Sequence, residues 1–300
     1  MRKLRISVVQ YLNTAPLVYG FTRGALQNKY DLSFTVPSQC ADDLRDGRAD
    51  VAIIPAIEFQ RIDDLVVLPD LAIAAKRRVR SLLIVSRKPI AEVQRIALDR
   101  NSRSTQALTR ILCAEHWQIK PAFFEATFDS TATILEQADA ALLIGDRALR
   151  LAISITGHAT LGAAGELVCS PDQAGINATE TLHVYDVVQE WRRLTGLPAV
   201  LAIWAGRREA VTPEIVADFV ASKEYGLAHL GEISAAASLE QNLPAADLLN
   251  YFQENIDFSL DSDNLAGLDL YSCLAAKLGI IPRAKAIEWA TINTPRYAAR

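Results

Sequence analysis

Two short apolar runs of the same character, at residues 81–85 and 199–204, bracket a self-contained stretch of alternating strand and helix signals. No other feature constrains the fold as much. Before the first run, residues 4–9, 32–36, 50–54 and 65–68 read as strands. After Asp50, the run Val51-Ala52-Ile53-Ile54 is continuously apolar, the pattern of a strand buried on both faces of a parallel sheet. Pro16 suits a first helical turn, and Ser38 and Gly47 stand where a second helix would begin and end. Inside the bracket, strands at 95–98, 122–126 and 140–144 alternate with helices at 102–115 and 130–137. Gly157, Gly162, Gly165, Pro171 and Gly175 then mark a loop-rich stretch, followed by a strand at 182–186 and a helix at 187–194. From Pro213, with Thr212 as its cap, the chain is mostly helical. Such alternation makes parallel sheets with right-handed crossovers. The expectation is an α/β chain of two hinged lobes with mixed, mostly parallel sheets. Lobe one takes residues 1–86 and 204–300, lobe two takes 87–203, and a ligand cleft lies between them.

Composition narrows the function classes. Half of the 300 residues are hydrophobic, enough for sizeable cores, and the net charge is −4 with both signs mixed throughout. Lys76-Arg77-Arg78 is the only basic run, so nucleic acid is not an expected partner. The apolar stretch after Arg5 is broken by Gln10 and Asn13 and falls short of the roughly 7–15 residues of a secretory core. No stretch reaches the roughly 18 apolar residues of a membrane span. The expected location is the cytoplasm, where Cys40, Cys113, Cys169 and Cys273 would be reduced thiols. The four histidines are scattered and the cysteines form no CxxC pair, so neither a metal nor an organic cofactor is expected. There is no G-x-S-x-G elbow, P-loop or dinucleotide fingerprint.

Three strand-to-helix junctions carry polar groups. In Gln10-Tyr11-Leu12-Asn13-Thr14-Ala15-Pro16-Leu17, Asn13 and Thr14 either cap a helix or face a ligand held by its first N–H groups. In Asn101-Ser102-Arg103-Ser104-Thr105, one hydroxyl suffices for a cap. Three in four residues also suit a carboxylate nest, with Arg103 either a clamp or a solvated side chain. In Ile144-Gly145-Asp146-Arg147, Gly145 and Asp146 form a turn and cap or line the cleft. Glu58 is a further carboxylate near a strand end, and Tyr185 and Trp204 are either core or ring-stacking aromatics.

The first of these junctions resembles the S-Y-L-N-T-x-P-L opening of the menaquinone-biosynthesis chorismate dehydratases of the futalosine pathway. Five more segments agree in order. Asp50–Pro55 read as one string resembles D-V-A-L-V-P, Val79-Arg80-Ser81 resembles V-R-S, and Ser102-Arg103-Ser104-Thr105 resembles S-R-T-S. The string ending in Ile144-Gly145-Asp146 resembles the I-G-D strand, and Trp191 with Thr195-Gly196-Leu197-Pro198 and Ala202-Ile203-Trp204 resembles E-W-x-x-x-T-G-L-P…A-V-W. Gln10 and Ala56 each stand where the family commonly has Ser, and Ser104 and Thr105 exchange the usual Thr and Ser. The S-P-C-P-N-D opening of the sister 1,4-dihydroxy-6-naphthoate synthase is absent. The resemblance implies a type II periplasmic-binding-protein-like fold and a hydro-lyase that converts chorismate to 3-enolpyruvylbenzoate. It implies Asn13 at the reacting edge, and Ser81, Ser102, Arg103, Ser104, Thr105, Gly145 and Asp146 around the substrate. The rival classes are a non-catalytic small-anion binder or sensor and the sister synthase.

Overall fold

The structure is a computed structural model that describes residues 2–127, 130–174 and 181–291. Gly175 and the last nine residues assigned to lobe one lie outside the described residues. The chain opens with β1 (Arg5–Val9), α1 (Ala15–Thr22), β2 (Asp31–Thr35), α2 (Pro37–Arg45), β3 (Val51–Pro55), α3 (Ala56–Phe59) and β4 (Leu65–Ala75). It crosses over through residues 76–81. It then forms β5 (Leu82–Ser86), β6 (Arg95–Asp99), α4 (Arg103–Ile111), β7 (Ala122–Ala126), α5 (Thr131–Leu135), β8 (Ala140–Ile144) and α6 (Gly145–Ser154). The short β9 (Thr160–Leu161), β10 (Leu167–Cys169) and α7 (Pro171–Ala174) lead to β11 (Leu182–Asp186). The return runs through α8 (Val187–Thr195) into β12 (Ala199–Arg207), followed by α9 (Pro213–Ala228), α10 (Leu230–Gln241), α11 (Ala245–Asn250) and α12 (Ser262–Lys277).

Two sheets result. The first has the order β2-β1-β3-β12-β4 and the second β7-β6-β8-β5-β11-β10-β9. Leu82–Ser86, expected as the last strand of lobe one, pairs with β8 and β11 inside the second sheet. Its all-apolar sequence fits a central strand of either sheet, so burial alone does not assign it. Parallel pairing, expected to dominate, is confined to β2-β1-β3 and β7-β6-β8. The strands that flank the crossovers, β12 and β5, pair antiparallel with both neighbours. A strand that starts where the chain has just left the other sheet is not bound by the βαβ rule, which operates within one sheet.

One apolar core runs through both sheets, and a smaller one lies on the far side of the second. Trp204 and Tyr185 belong to the core. Trp204 meets the Phe219 ring edge-on at 4.7 Å, and the Tyr185 hydroxyl accepts the Ile90 N–H at 2.9 Å. Helix α9 packs against α1 closely enough that a methyl group on Gly226 would lie 1.8 Å from the Pro16 carbonyl oxygen. The crossovers are tied together at Asp186, whose carboxylate accepts N–H groups from Val79, Arg80, Val188 and Gln189 at 2.7–3.2 Å.

Two stability predictions follow from these contacts. Gly226→Ala forces α1 and α9 apart and is expected to cost about 3 kcal/mol, read as a lower urea midpoint with an unchanged slope. Asp186→Ala orphans four N–H groups and the start of α8. It is expected to cost about 3–4 kcal/mol by the same measurement, and a loss under 1 kcal/mol would contradict the role given to this carboxylate.

Candidate functional site

A narrow cleft with an accessible volume of about 50 Å³ lies between the two sheets. Its walls include Val9, Ile53, Pro55 and Ile73 from the first sheet's side and Leu82, Ile144 and Gly145 from the second's. The polar groups on it come from the ends of strands, where chains turn into helices. Tyr11, Asn13 and Thr14 follow β1, Ser102 and Thr105 follow β6, and Gly145 follows β8.

The helix starts explain what this cleft can hold. The residues at the N-termini of α1, α2, α3, α4 and α6, namely Thr14, Pro37, Pro55, Ser102 and Ile144 or Gly145, all line it. None of these five helices is capped by its own N-cap side chain, although Ser104 Oγ accepts the Ile57 N–H of α3, the Asn101 carbonyl the Ser38 N–H of α2 and the Leu12 carbonyl the Ala15 N–H of α1. By contrast α5, α8, α9 and α12, which start elsewhere, are capped by Ser130, Asp186, Thr212 and Asp261. The positive ends of these helix dipoles therefore converge on one space, which favours an anion. The helices α10 and α11 also lack side-chain caps, so an open start is not by itself diagnostic; the convergence is what singles out the cleft.

Individual side chains divide into those on the cleft and those spent on holding it together. The Ser102 and Thr105 hydroxyls share a hydrogen bond of 2.7 Å. Gly145 has φ +61°, and a methyl group there would lie 3.0 Å from the Tyr11 ring, so the cleft's floor needs glycine on both counts. Ser81 stands at the crossover, where its oxygen accepts the Tyr251 hydroxyl at 2.9 Å. Burial pushes the Tyr251 phenol well above its usual range, with Ser81 and Asn13 as hydrogen-bonding neighbours that oppose the shift. Tyr251 thus lies beside both Ser81 at the crossover and Asn13.

Arg103, Ser104 and Asp146 are not on the cleft wall. Arg103 turns to Asp42 at 2.9 Å and to Glu58 at 3.2 Å, bridging α4 to α2 and α3. Ser104 Oγ accepts the Ile57 N–H at 3.2 Å, and the Ser104 carbonyl accepts the Tyr271 hydroxyl at 2.9 Å. Asp146 spends one oxygen on the Leu12 N–H at 3.0 Å and the other on Gln241 at 2.9 Å, and its burial raises its pKa against those two bonds. Glu58 is buried among Arg45, Arg61 and Arg103 and likewise does not face the cleft. These three connections run between the two sheets' own helices and strands, so they clasp the cleft rather than line it.

Sequence reasoning passed over Tyr11, Tyr251 and Asp99. Tyr11 stood in the quoted opening motif, and its phenol is pushed up by burial and by the nearby carboxylates Asp99 and Asp146. Asp99 closes β6, and burial raises its carboxyl pKa. Tyr251 lies in a helical stretch with no polar pattern to mark it, and no local signal would have found it.

The chain is 25% identical over 280 residues to a chorismate dehydratase of Thermus thermophilus, covering 91% of this chain and 95% of the relative. Its fold matches the crystal structure of protein AF1704 from Archaeoglobus fulgidus with a TM-score of 0.70 at 18% identity, covering 93% of this chain and 98% of that one. It also matches a Candida albicans protein, CA3427, described as having the generic periplasmic binding protein structural fold, with a TM-score of 0.56 at 9% identity and coverage of 98% and 99%. The fold is therefore that of the periplasmic binding proteins. The model of the menaquinone biosynthesis family matches residues 4–277, and the chain belongs to that family.

Proposed function

We propose that this chain dehydrates chorismate to 3-enolpyruvylbenzoate, as a lyase of the futalosine pathway. The observation that carries the reading is the convergence of five helix N-termini on a cleft edged by Asn13, Ser102 and Thr105. Chorismate is a dianion with a compact ring, and such a site suits its two carboxylates. The Thermus relative's name supports the same substrate. No helix among the described residues is long and apolar enough to cross a membrane, which fits a cytoplasmic enzyme without requiring one.

The chemistry asks little of the protein. Loss of the C3 proton and the C4 hydroxyl makes the ring aromatic, so the driving force lies in the substrate and no cofactor is required. A carbanion developing at C3 spreads through the conjugated diene into the ring carboxylate. Ser102, Thr105 and the first N–H groups of α4 hold that carboxylate and bind it better as charge accumulates. Asn13, across the cleft, hydrogen-bonds the C4 hydroxyl as it leaves. Ser81 and Tyr251 act one step back, fixing the Asn13 amide rather than touching the ring. Glu58 and Asp146 have their oxygens engaged elsewhere, so neither serves as the base. The substrate's own enolpyruvyl carboxylate takes the proton. The lobes close over the substrate about the two crossovers, which excludes water from the carbanion.

Purified protein incubated with chorismate should release a product lighter by one water, read by mass spectrometry. Binding without turnover would favour the sensor reading, and neither binding nor turnover would overturn the assignment. Asn13→Ala is expected to lower kcat by about 100-fold with the fold intact, the usual effect of removing one preorganised donor. Glu58→Gln and Asp146→Asn should keep kcat within about tenfold of wild type while lowering stability, since each loses a clasp and not a reacting group. A folded, chorismate-binding but inactive Glu58→Gln or Asp146→Asn protein would make that carboxylate the base and refute the substrate-assisted step.

A further inference from the structure

A second cavity, of about 220 Å³, lies away from the cleft, where the second sheet meets the crossovers. Leu83, Ile155, Leu167 and Val184 give it an apolar wall. Its charged lining consists of Arg78, Arg80, Glu166, Asp186 and Glu190.

The two signs of charge are not equivalent. Both glutamates are satisfied by the protein. Glu166 pairs with His183 at 3.0 Å and accepts the Ala164 N–H at 3.0 Å. Glu190 pairs with His116 at 3.0 Å and with Arg193 at 2.5 Å. Arg80 is different. It is only 7% exposed, yet its guanidinium meets just two acceptors, the Thr156 hydroxyl at 3.0 Å and the Ala152 carbonyl at 3.5 Å, both through Nη2. Among the described residues, Nε and Nη1 have no acceptor and no carboxylate ion-pairs with this side chain. The carboxylates that act on it through space, Asp247 and Asp186, make no ion pair with the guanidinium, and Asp186 is committed to backbone N–H groups, one of them from Arg80 itself. Arg78, at the same cavity, also has no carboxylate partner among the described residues and adds a second positive charge.

A buried guanidinium with no direct ion pair is uncommon in folded proteins, and here Asp247 and Asp186 act on it only through space. The backbone is strained as well. Arg80 has φ +62°, a left-handed conformation that a long side chain seldom adopts, and the Asp186 carboxylate holds it there through the Arg80 N–H at 2.7 Å. Strain is thus borne at the residue that opens two donors, Nε and Nη1, to the chamber.

We propose that this cavity is a second ligand site, separate from the cleft, for a small monocarboxylate with an apolar body. The planar guanidinium receives the carboxylate through Nε and Nη1, and Leu83, Ile155 and Val184 cover the ring or chain behind it. A dianion fits poorly, since Glu166 and Glu190 border the rest of the cavity.

The test is a crystal of the full chain soaked in 4-iodobenzoate, with the iodine located by its anomalous signal. Expected is iodine among Leu83, Ile155 and Val184, with the carboxylate within hydrogen-bonding distance of Arg80. Iodine only in the cleft beside Asn13 and Ser102, or nowhere, overturns the proposal. In calorimetry, the wild type should bind benzoate at a site that Arg80→Gln weakens at least tenfold, and neutral cyclohexylmethanol should not bind there. Equal benzoate binding by wild type and Arg80→Gln, or equal binding of the neutral probe, also overturns it. Should Arg80→Gln fail to fold, the anomalous map of the wild type decides alone. Neither readout requires chorismate turnover, so failure here is distinct from failure of the cleft's assignment.

Discussion

The Asp186 carboxylate receives N–H groups from both strands of chain that pass between the sheets, Val79 and Arg80 on the way out and Val188 and Gln189 on the way back. A charged acceptor with several donors is among the stronger polar contacts a protein makes. Its position matters as much as its strength. It caps α8, sets the direction in which the return crossover leaves β11, and fixes the strained turn at Arg80. Ser81 follows at once, so the same carboxylate sets where that hydroxyl meets Tyr251 and, through Tyr251, how Asn13 is held. The geometry of the cleft is in this sense inherited from the crossovers.

Around the cleft, charge is sorted by distance from the ligand space. Positive helix ends face inward, while the full charges of Arg45, Arg61, Arg103, Asp42 and Glu58 neutralise one another outside it. A carboxylate placed on the wall would repel a dianionic substrate, and a guanidinium there would bind ground state and transition state alike. Fixed backbone dipoles avoid both problems and need no reorganisation as charge moves. The polar side chains that do reach the wall are neutral: Tyr11, Asn13, Thr14, Ser102 and Thr105.

Local pattern was informative wherever chemistry and backbone geometry coincide in a few residues. Asn13, Ser102, Thr105 and Gly145 sit at strand-to-helix turns that the sequence marks with Pro16, with a cluster of hydroxyls, and with glycine, and these turns meet at one cleft. Pattern was silent where the answer depends on which neighbour arrives from far along the chain. Arg103 reads equally as a clamp or a solvated residue until Asp42 and Glu58 are placed beside it. Asp146 reads as a cap until Leu12, far away in sequence, offers its N–H. Tyr251 carries no local signature, because its role comes from Ser81 and Asn13.

The sequence by itself determined that the chain is an α/β protein interrupted by an inserted α/β unit, because hydrophobic periodicity and turn residues act over a handful of positions and leave their mark there. It also determined which junctions are rich in donors. Only the tertiary structure decided to which sheet Leu82–Ser86 belongs, which strands run antiparallel, and which polar groups line the cleft or clasp it. The physical reason is that an all-apolar strand is equally content in the middle of either sheet, while a hydroxyl or carboxylate takes its meaning from the partner that saturates it. Those partners are brought together by the two crossovers, and no short stretch of sequence records them.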